Sequence, residues 1–216
     1  MYTLTTAEAV MYVRKNLDEQ AENYSGLMLD RDSTDLDKII EKSLPEAINS
    51  VHLVAPIQDL AGISLESDEV QGNISIDAGV MTLKLPINLM RLVRFRVSDN
   101  GAMSLTEFFD DSSPEGRMQK NPYTRASWRN PKLIRECVRN EDGKMVFRYY
   151  SLRESYQNPD EALNMFRYIP YQRYEEGKSS YLVEESCLDQ AINRLTAIVL
   201  SIYGMNAGAF SGGGEQ

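Results

Sequence analysis

Residues 35–54, DLDKIIEKSLPEAINSVHLV, and residues 74–85, ISIDAGVMTLKL, decide the fold class between them. In the first, Leu36, Ile39, Ile40, Leu44, Ala47, Ile48 and Val51 recur every three or four positions, the spacing of one apolar helix face. That helix starts after Ser33 or Thr34, whose hydroxyls suit a cap. In the second, Met81, Leu83 and Leu85 alternate with Val80, Thr82 and Lys84, and Asp77-Ala78-Gly79 turns the strand back on Ile74 and Ile76. A helical part followed by a sheet part predicts an α+β protein. Pro45 falls inside the helix, lacks the N–H for a bond to residue 41 and crowds the preceding turn, so a kink or two shorter helices is expected.

Towards the N-terminus, Val10, Val13, Leu17, Ala21 and Tyr24 repeat the helical spacing over residues 7–24, with Thr5 and Glu8 placed as a capping box. Towards the C-terminus, Leu188, Ile192, Leu195, Val199 and Ile202 form a third stripe, widened by Ala191 and Ile198, opened by Ser186 and Asp189 and closed at Gly204. Between them, strand alternation is seen at Leu92–Val97, Leu133–Arg139, 145–150 and Leu163–Ile169. In the first of these, Val93, Phe95 and Val97 share one face and Leu92, Arg94 and Arg96 the other. Short turns make the set an antiparallel meander of four to six strands.

Ser104 and Glu107 have capping-box spacing before Phe108 and Phe109, and Asp110-Asp111-Ser112-Ser113-Pro114 stops any helix there. Residues 110–131 then form the longest irregular stretch, read as an extended arm anchored by its aromatic residues. The expected organisation is a helical part over 1–58, an antiparallel β part over 59–180 carrying the arm, a C-terminal helix over 181–204 rejoining the helical part, and a flexible glycine-rich tail over 205–216.

The chain has 216 residues, 42% hydrophobic and 25% charged, the composition of a folded globular protein. Its net charge of −9 argues against generic phosphate-backbone binding, although residues 84–135 hold ten basic and five acidic side chains. Polar Thr3, Thr5 and Glu8 stand where a secretory leader needs apolar residues, and no run reaches membrane-spanning length, so a soluble, non-secreted chain is expected.

Reactive motifs are sparse. His52 is the single histidine, which excludes a multi-histidine metal site, and it reads as structural at the end of its helix. Cys137 and Cys187 have no CxxC partner and read as reduced, structural thiols. The carboxylate pairs Asp110–Asp111 and Glu184–Glu185 read as solvated ends, and neither GxGxxG nor GxxxxGK[ST] occurs. No catalytic residue, cofactor or metal is therefore expected. Twelve tyrosines against six phenylalanines favour half-buried contact surfaces. Arg91, Arg94, Arg96, Lys120, Arg125, Arg129 and Lys132, interleaved with Phe95, Tyr123 and Trp128, combine charge with stacking surface, which keeps a nucleic-acid-binding module as an alternative.

Two N-terminal helices ending in AINSVHLVAP (47–56), then LPINLMRLVRFRV (85–97), QKNPYTRASWRNP (119–131) and a C-terminal helix resemble the head-to-tail connector ring, or adaptor, proteins of crAss-like tailed bacteriophages. The resemblance spans most of residues 5–204. It implies a non-enzymatic virion protein at the head–tail junction, assembled in the host cytoplasm, that forms a portal-proximal and twelvefold ring. Its partners would be sister subunits, the portal protein and neighbouring ring or tail proteins, with DNA passing through the lumen without sequence-specific binding and no membrane involved. Arg91, Arg94, Arg96, Gln119, Asn121, Tyr123, Arg125, Trp128 and Arg129 become the candidates for the subunit or portal interface. A tail-completion or tail-tube terminator protein is the alternative within the same virion.

Overall fold

The computed structural model describes residues 1–23, 33–65, 73–85, 88–98, 104–127, 129–136, 144–152 and 162–202. In chain order the elements are β1 (Tyr2–Thr5), α1 (Thr6–Asn23), α2 (Ser33–Val54), β2 (Ile63–Ser64), β3 (Ile74–Asp77), β4 (Val80–Leu85), β5 (Leu89–Val97), β6 (Phe109–Asp110), α3 (Pro114–Gln119), β7 (Leu133–Arg135), β8 (Met145–Tyr149), β9 (Leu163–Pro170), β10 (Ser180–Val183) and α4 (Leu188–Ile202). The fold is α+β, with α1, α2 and α4 packed on one another and largely antiparallel sheets. Two compact units divide the chain: Met1–Leu60 with Tyr171–Gln216, and Ala61–Pro170. The sheet unit is thus an insertion into a helical unit built from both ends of the chain. Cys137 and the tail over 205–216 lie outside the described residues.

The helical unit begins with the capping box anticipated from Thr5 and Glu8. The Glu8 N–H donates to Thr5 Oγ1 at 3.2 Å, while the Thr5 N–H and hydroxyl donate to Glu8 Oε2 at 2.9 and 2.7 Å. Ala9, Val13 and Leu17 of α1, Ile40, Leu44, Ala47, Ile48 and Val51 of α2, and Ala191, Ile192, Leu195, Val199 and Leu200 of α4 supply the core. Each of the large ones contributes about 1.5–3 kcal/mol by leaving water. The α4 stripe is rotated from the expected one: Leu200 is buried and Ile202 is 55% exposed. Helix α2 runs unbroken through Pro45, so the expected split into two helices does not occur. Pro45 is itself buried, as are Leu44, Ala47 and Ile48 beside it in sequence, and that burial offsets the one missing backbone bond.

Buried polar groups then tie α2 to the returning chain. Asn49 Nδ2 donates to the Gln172 carbonyl at 2.7 Å and the Gln172 N–H donates to Asn49 Oδ1 at 3.1 Å. The Gln172 side chain in turn accepts from the Leu182 N–H at 2.8 Å and donates to the Leu182 carbonyl. His52, fully buried, accepts the Glu184 N–H through Nε2 at 3.0 Å. Residues 171–180, read from sequence as the end of the β part, belong to this unit because β10 pairs antiparallel with β1, Tyr2 opposite Val183 and Thr5 opposite Ser180.

The sheet unit contains a three-stranded sheet, β2-β9-β5, and a five-stranded sheet, β3-β4-β8-β7-β6. The β3–β4 hairpin forms as expected, closing through Ala78 and Gly79 with φ of 46° and 74°, the positive values a two-residue primed turn needs. The meander does not form. β4 pairs with β8 and β5 with β9, partners far apart in sequence, and β6 runs parallel to β7. A parallel pair requires a long crossover, and residues 111–132 supply it. The stretch read as an extended arm is therefore a compact connection with a helix, α3, and a series of tight turns. No helix follows the Ser104–Glu107 pair: Leu105 bridges to Phe95 and Phe109 enters β6.

Side chains from both sheets meet in one core of Leu83, Leu85, Leu92, Phe95, Val97, Phe147, Tyr149 and Phe166. Its centre is aromatic, with the Phe166 ring 6.0 Å from that of Phe95 and 5.7 Å from that of Phe147, both edge-on or steeply tilted.

Candidate functional site

Strand β5 places the first group of candidate residues. Its register with β9 shifts between Leu92 and Arg94, a bulge that buries both Leu92 and Val93 and overturns the simple alternation expected for Leu92–Val97. After the bulge, Phe95 and Val97 point into the core while Arg94 and Arg96 are exposed. Arg94 stands directly opposite Arg167 of β9, itself exposed and flanked on its other side by Ser64 of β2. Arg96 faces Met165. Arg94, Arg96 and Arg167 make no ion pair among the described residues. Like charges directly opposed in a sheet destabilise it, on the order of 0.5 kcal/mol, so folding does not explain this arrangement. Arg91 is half-buried opposite Ile169 and stands apart from the exposed three.

The second group sits in the crossover. Ser113 caps α3, its hydroxyl accepting the Gly116 N–H at 3.1 Å and donating to the Asp110 carbonyl at 2.6 Å, with Pro114 at the first helical position. Gly116 is obligatory, since a Cβ there would lie 2.3 Å from the Asp110 carbonyl oxygen. Gln119, 3% exposed, spends its side chain inside the segment, donating to the Glu115 carbonyl at 3.0 Å and accepting the Ala126 N–H at 2.7 Å. Asn121 Oδ1 accepts the Tyr123 N–H at 3.0 Å, and the Thr124 hydroxyl donates to the Met118 carbonyl at 2.7 Å. Arg125 Nε donates to the Gln119 carbonyl at 3.1 Å, and its guanidinium lies 5.2 Å from the centre of the Tyr150 ring.

The outcome is a self-bonded knob that holds Tyr123 97% exposed and Met118 50% exposed. Arg129 is exposed, and Trp128 lies outside the described residues. Phe95 is 1% exposed, so it offers no stacking surface beside the arginines. Arg167 was missed from sequence because its partner strand is some seventy residues away in the chain, and no local pattern announces that pairing.

The two units differ in charge. Residues 1–60 and 171–216 together hold eight basic and seventeen acidic side chains, while residues 61–170 hold fifteen of each, so the whole net charge of −9 lies in the helical unit. Glu8 is held below the usual carboxylate range by its bonds from Thr5 and from the Tyr2 hydroxyl, and Tyr2 is raised mainly by that same bond to Glu8. Adjacent carboxylates diverge: Asp110 pairs with Arg135 at 2.7 Å, and Glu184 is buried while Glu185 is exposed. Cys187 is a buried free thiol, and no described cluster of three His, Cys, Asp or Glu side chains is placed to hold a metal. No described helix is long and apolar enough to cross a membrane. No protein-family model matches the sequence, and no curated protein matches it.

Proposed function

We propose that this chain is a structural virion protein, a subunit of a twelvefold, portal-proximal ring in the head-to-tail connector of a tailed bacteriophage. The sequence features at 47–56, 85–97 and 119–131 motivate the reading. The observation that carries it in the fold is the Tyr123 knob, a network of internal hydrogen bonds whose product is a projecting, fully exposed tyrosine. An exposed aromatic side chain on a hydrogen-bonded turn contributes little to its own domain and suits the buried centre of a protein interface. Closing a ring needs a heterologous contact, one face of each copy fitting a different face of the next. The negative charge of the chain is compatible with DNA passing without adhering.

Deleting 110–131 would remove the crossover that β6 and β7 need, so the informative variant is smaller. The double substitution Tyr123→Ser, Met118→Ser should leave the fold intact and abolish capture by the portal protein or closure of the ring, seen by electron microscopy of the mixture. Rings that dock normally with this variant would remove the knob from the interface, and a wild-type chain that never binds a portal protein or a sister copy would end the proposal.

A further inference from the structure

We infer that the exposed arginines Arg94, Arg96 and Arg167 dock on the carboxylates Asp59, Glu185 and Asp189 of a second copy, a head-to-tail contact from the sheet unit of one molecule to the helical unit of the next. The basic side of this contact is a sheet face with opposed like charges and no ion pair among the described residues. The acidic side is one edge of the helical unit. The Ser186 hydroxyl donates to the Asp59 carbonyl at 2.9 Å, which holds the turn at Ile57–Asp59 beside the turn at Glu185–Cys187. Asp189 follows Glu185 by one helical turn at the start of α4, and all three carboxylates are exposed and make no ion pair among the described residues.

Charge complementarity selects the occupant. A second copy brings an acidic unit whose net charge is −9 to a neutral unit with a concentrated positive face. Two arginine faces repel one another, so a contact of this face with itself is disfavoured and the face must meet a different surface of the second copy. A nucleic acid fits less well, because the helical unit repels a polyanion and the aromatic residues between the arginines, Phe95 and Phe166, are buried. The inference rests on the ring reading only for the expectation that the repeating contact closes.

Native mass spectrometry and sedimentation of the full chain test it, at about 50 mM and about 500 mM salt, where screening differs severalfold. Association at low salt should weaken about tenfold or more at high salt. The variant R167E turns the opposed Arg94 pair into an attractive one, so its melting temperature should hold or rise while association falls by about tenfold or more. R94E/R167E and D59K/E185K should each be monomeric alone and associate in equal proportion when mixed. A wild-type chain that stays monomeric at low salt at every concentration overturns the inference, as does association indifferent to both charge reversals. Salt-sensitive duplex DNA binding that R94E/R167E removes would overturn it too and assign the face to phosphates. If portal-docked rings form normally from R94E/R167E, this contact fails and the ring reading stands. If the wild type self-associates as described but never engages a portal protein, the contact stands and the ring reading fails.

Discussion

The helical unit carries all of the net charge and buries polar side chains, while the sheet unit is neutral, buries an aromatic cluster and exposes the concentrated positive face. In the helical unit Asn49 and His52 bind backbone groups of a returning segment more than a hundred residues away in the chain, and Gln172 of that segment clamps the backbone of Leu182 ten residues on. In the sheet unit Phe95, Phe147 and Phe166 join strands of two sheets through ring-to-ring contacts. The contrast teaches that net charge and local field are separate properties. A neutral unit can present the steering surface, and the acidic unit can hold itself together with uncharged amides.

Substitutions can break this contrast in descending order of effect. Phe166→Ala removes the ring at the centre of the aromatic cluster and should cost about 3–5 kcal/mol in a denaturant titration. A loss below about 1 kcal/mol would mean that the sheets do not depend on this core. Gly116→Ala forces a Cβ against the Asp110 backbone and should cost about 3 kcal/mol, with protease cleavage appearing between 110 and 131. Gln172→Ala removes the amide partner of the half-buried Leu182 backbone and should cost about 1–2 kcal/mol, read as a lowered melting temperature. An unchanged melting temperature would show that the amide clamp is decorative.

Thr5→Ala removes the cap of α1 and should cost about 1 kcal/mol. It should also alter the acid limb. Because the Glu8 carboxyl is held below its usual range in the folded chain, its stabilisation is full above the ordinary carboxylate range and is lost as pH falls through the lowered value. The wild type should therefore lose stability in acid more steeply than Thr5→Ala, and parallel acid limbs would contradict this. Tyr123→Ser, at a side chain 97% exposed, should change stability by no more than about 0.5 kcal/mol and act only on assembly.

How much of this was legible in the sequence follows the same division. The helical unit is dominated by local signals, so the stripes at Ile40, Leu44, Ala47, Ile48 and Val51 and the Thr5–Glu8 cap were readable. The strands at 74–85 and 163–169 were readable for the same reason, since their period is local. Their partners were not, because pairing Arg94 with Arg167 or Met81 with Tyr149 is settled by which faces bury together across the core. Ser113-Pro114 reads as a stop, although serine before proline is equally a cap and first turn, and the latter is what forms, inside the crossover between the parallel β6 and β7. Among the candidate residues, exposure of Arg94, Arg96 and Tyr123 followed from their chemistry, whereas Gln119 turned inward because the turn after α3 leaves backbone groups for its amide to bind.

Electron microscopy of the chain assembled with the portal protein and the neighbouring virion proteins bears most directly on the proposed role. The expected image is a closed twelvefold ring docked on the portal, with Tyr123 buried at a contact and Arg94 and Arg167 against the Asp59 and Glu185 edge of the adjacent copy. An assembly that leaves those side chains in solvent, around a closed pocket gathering reactive groups, would contradict it.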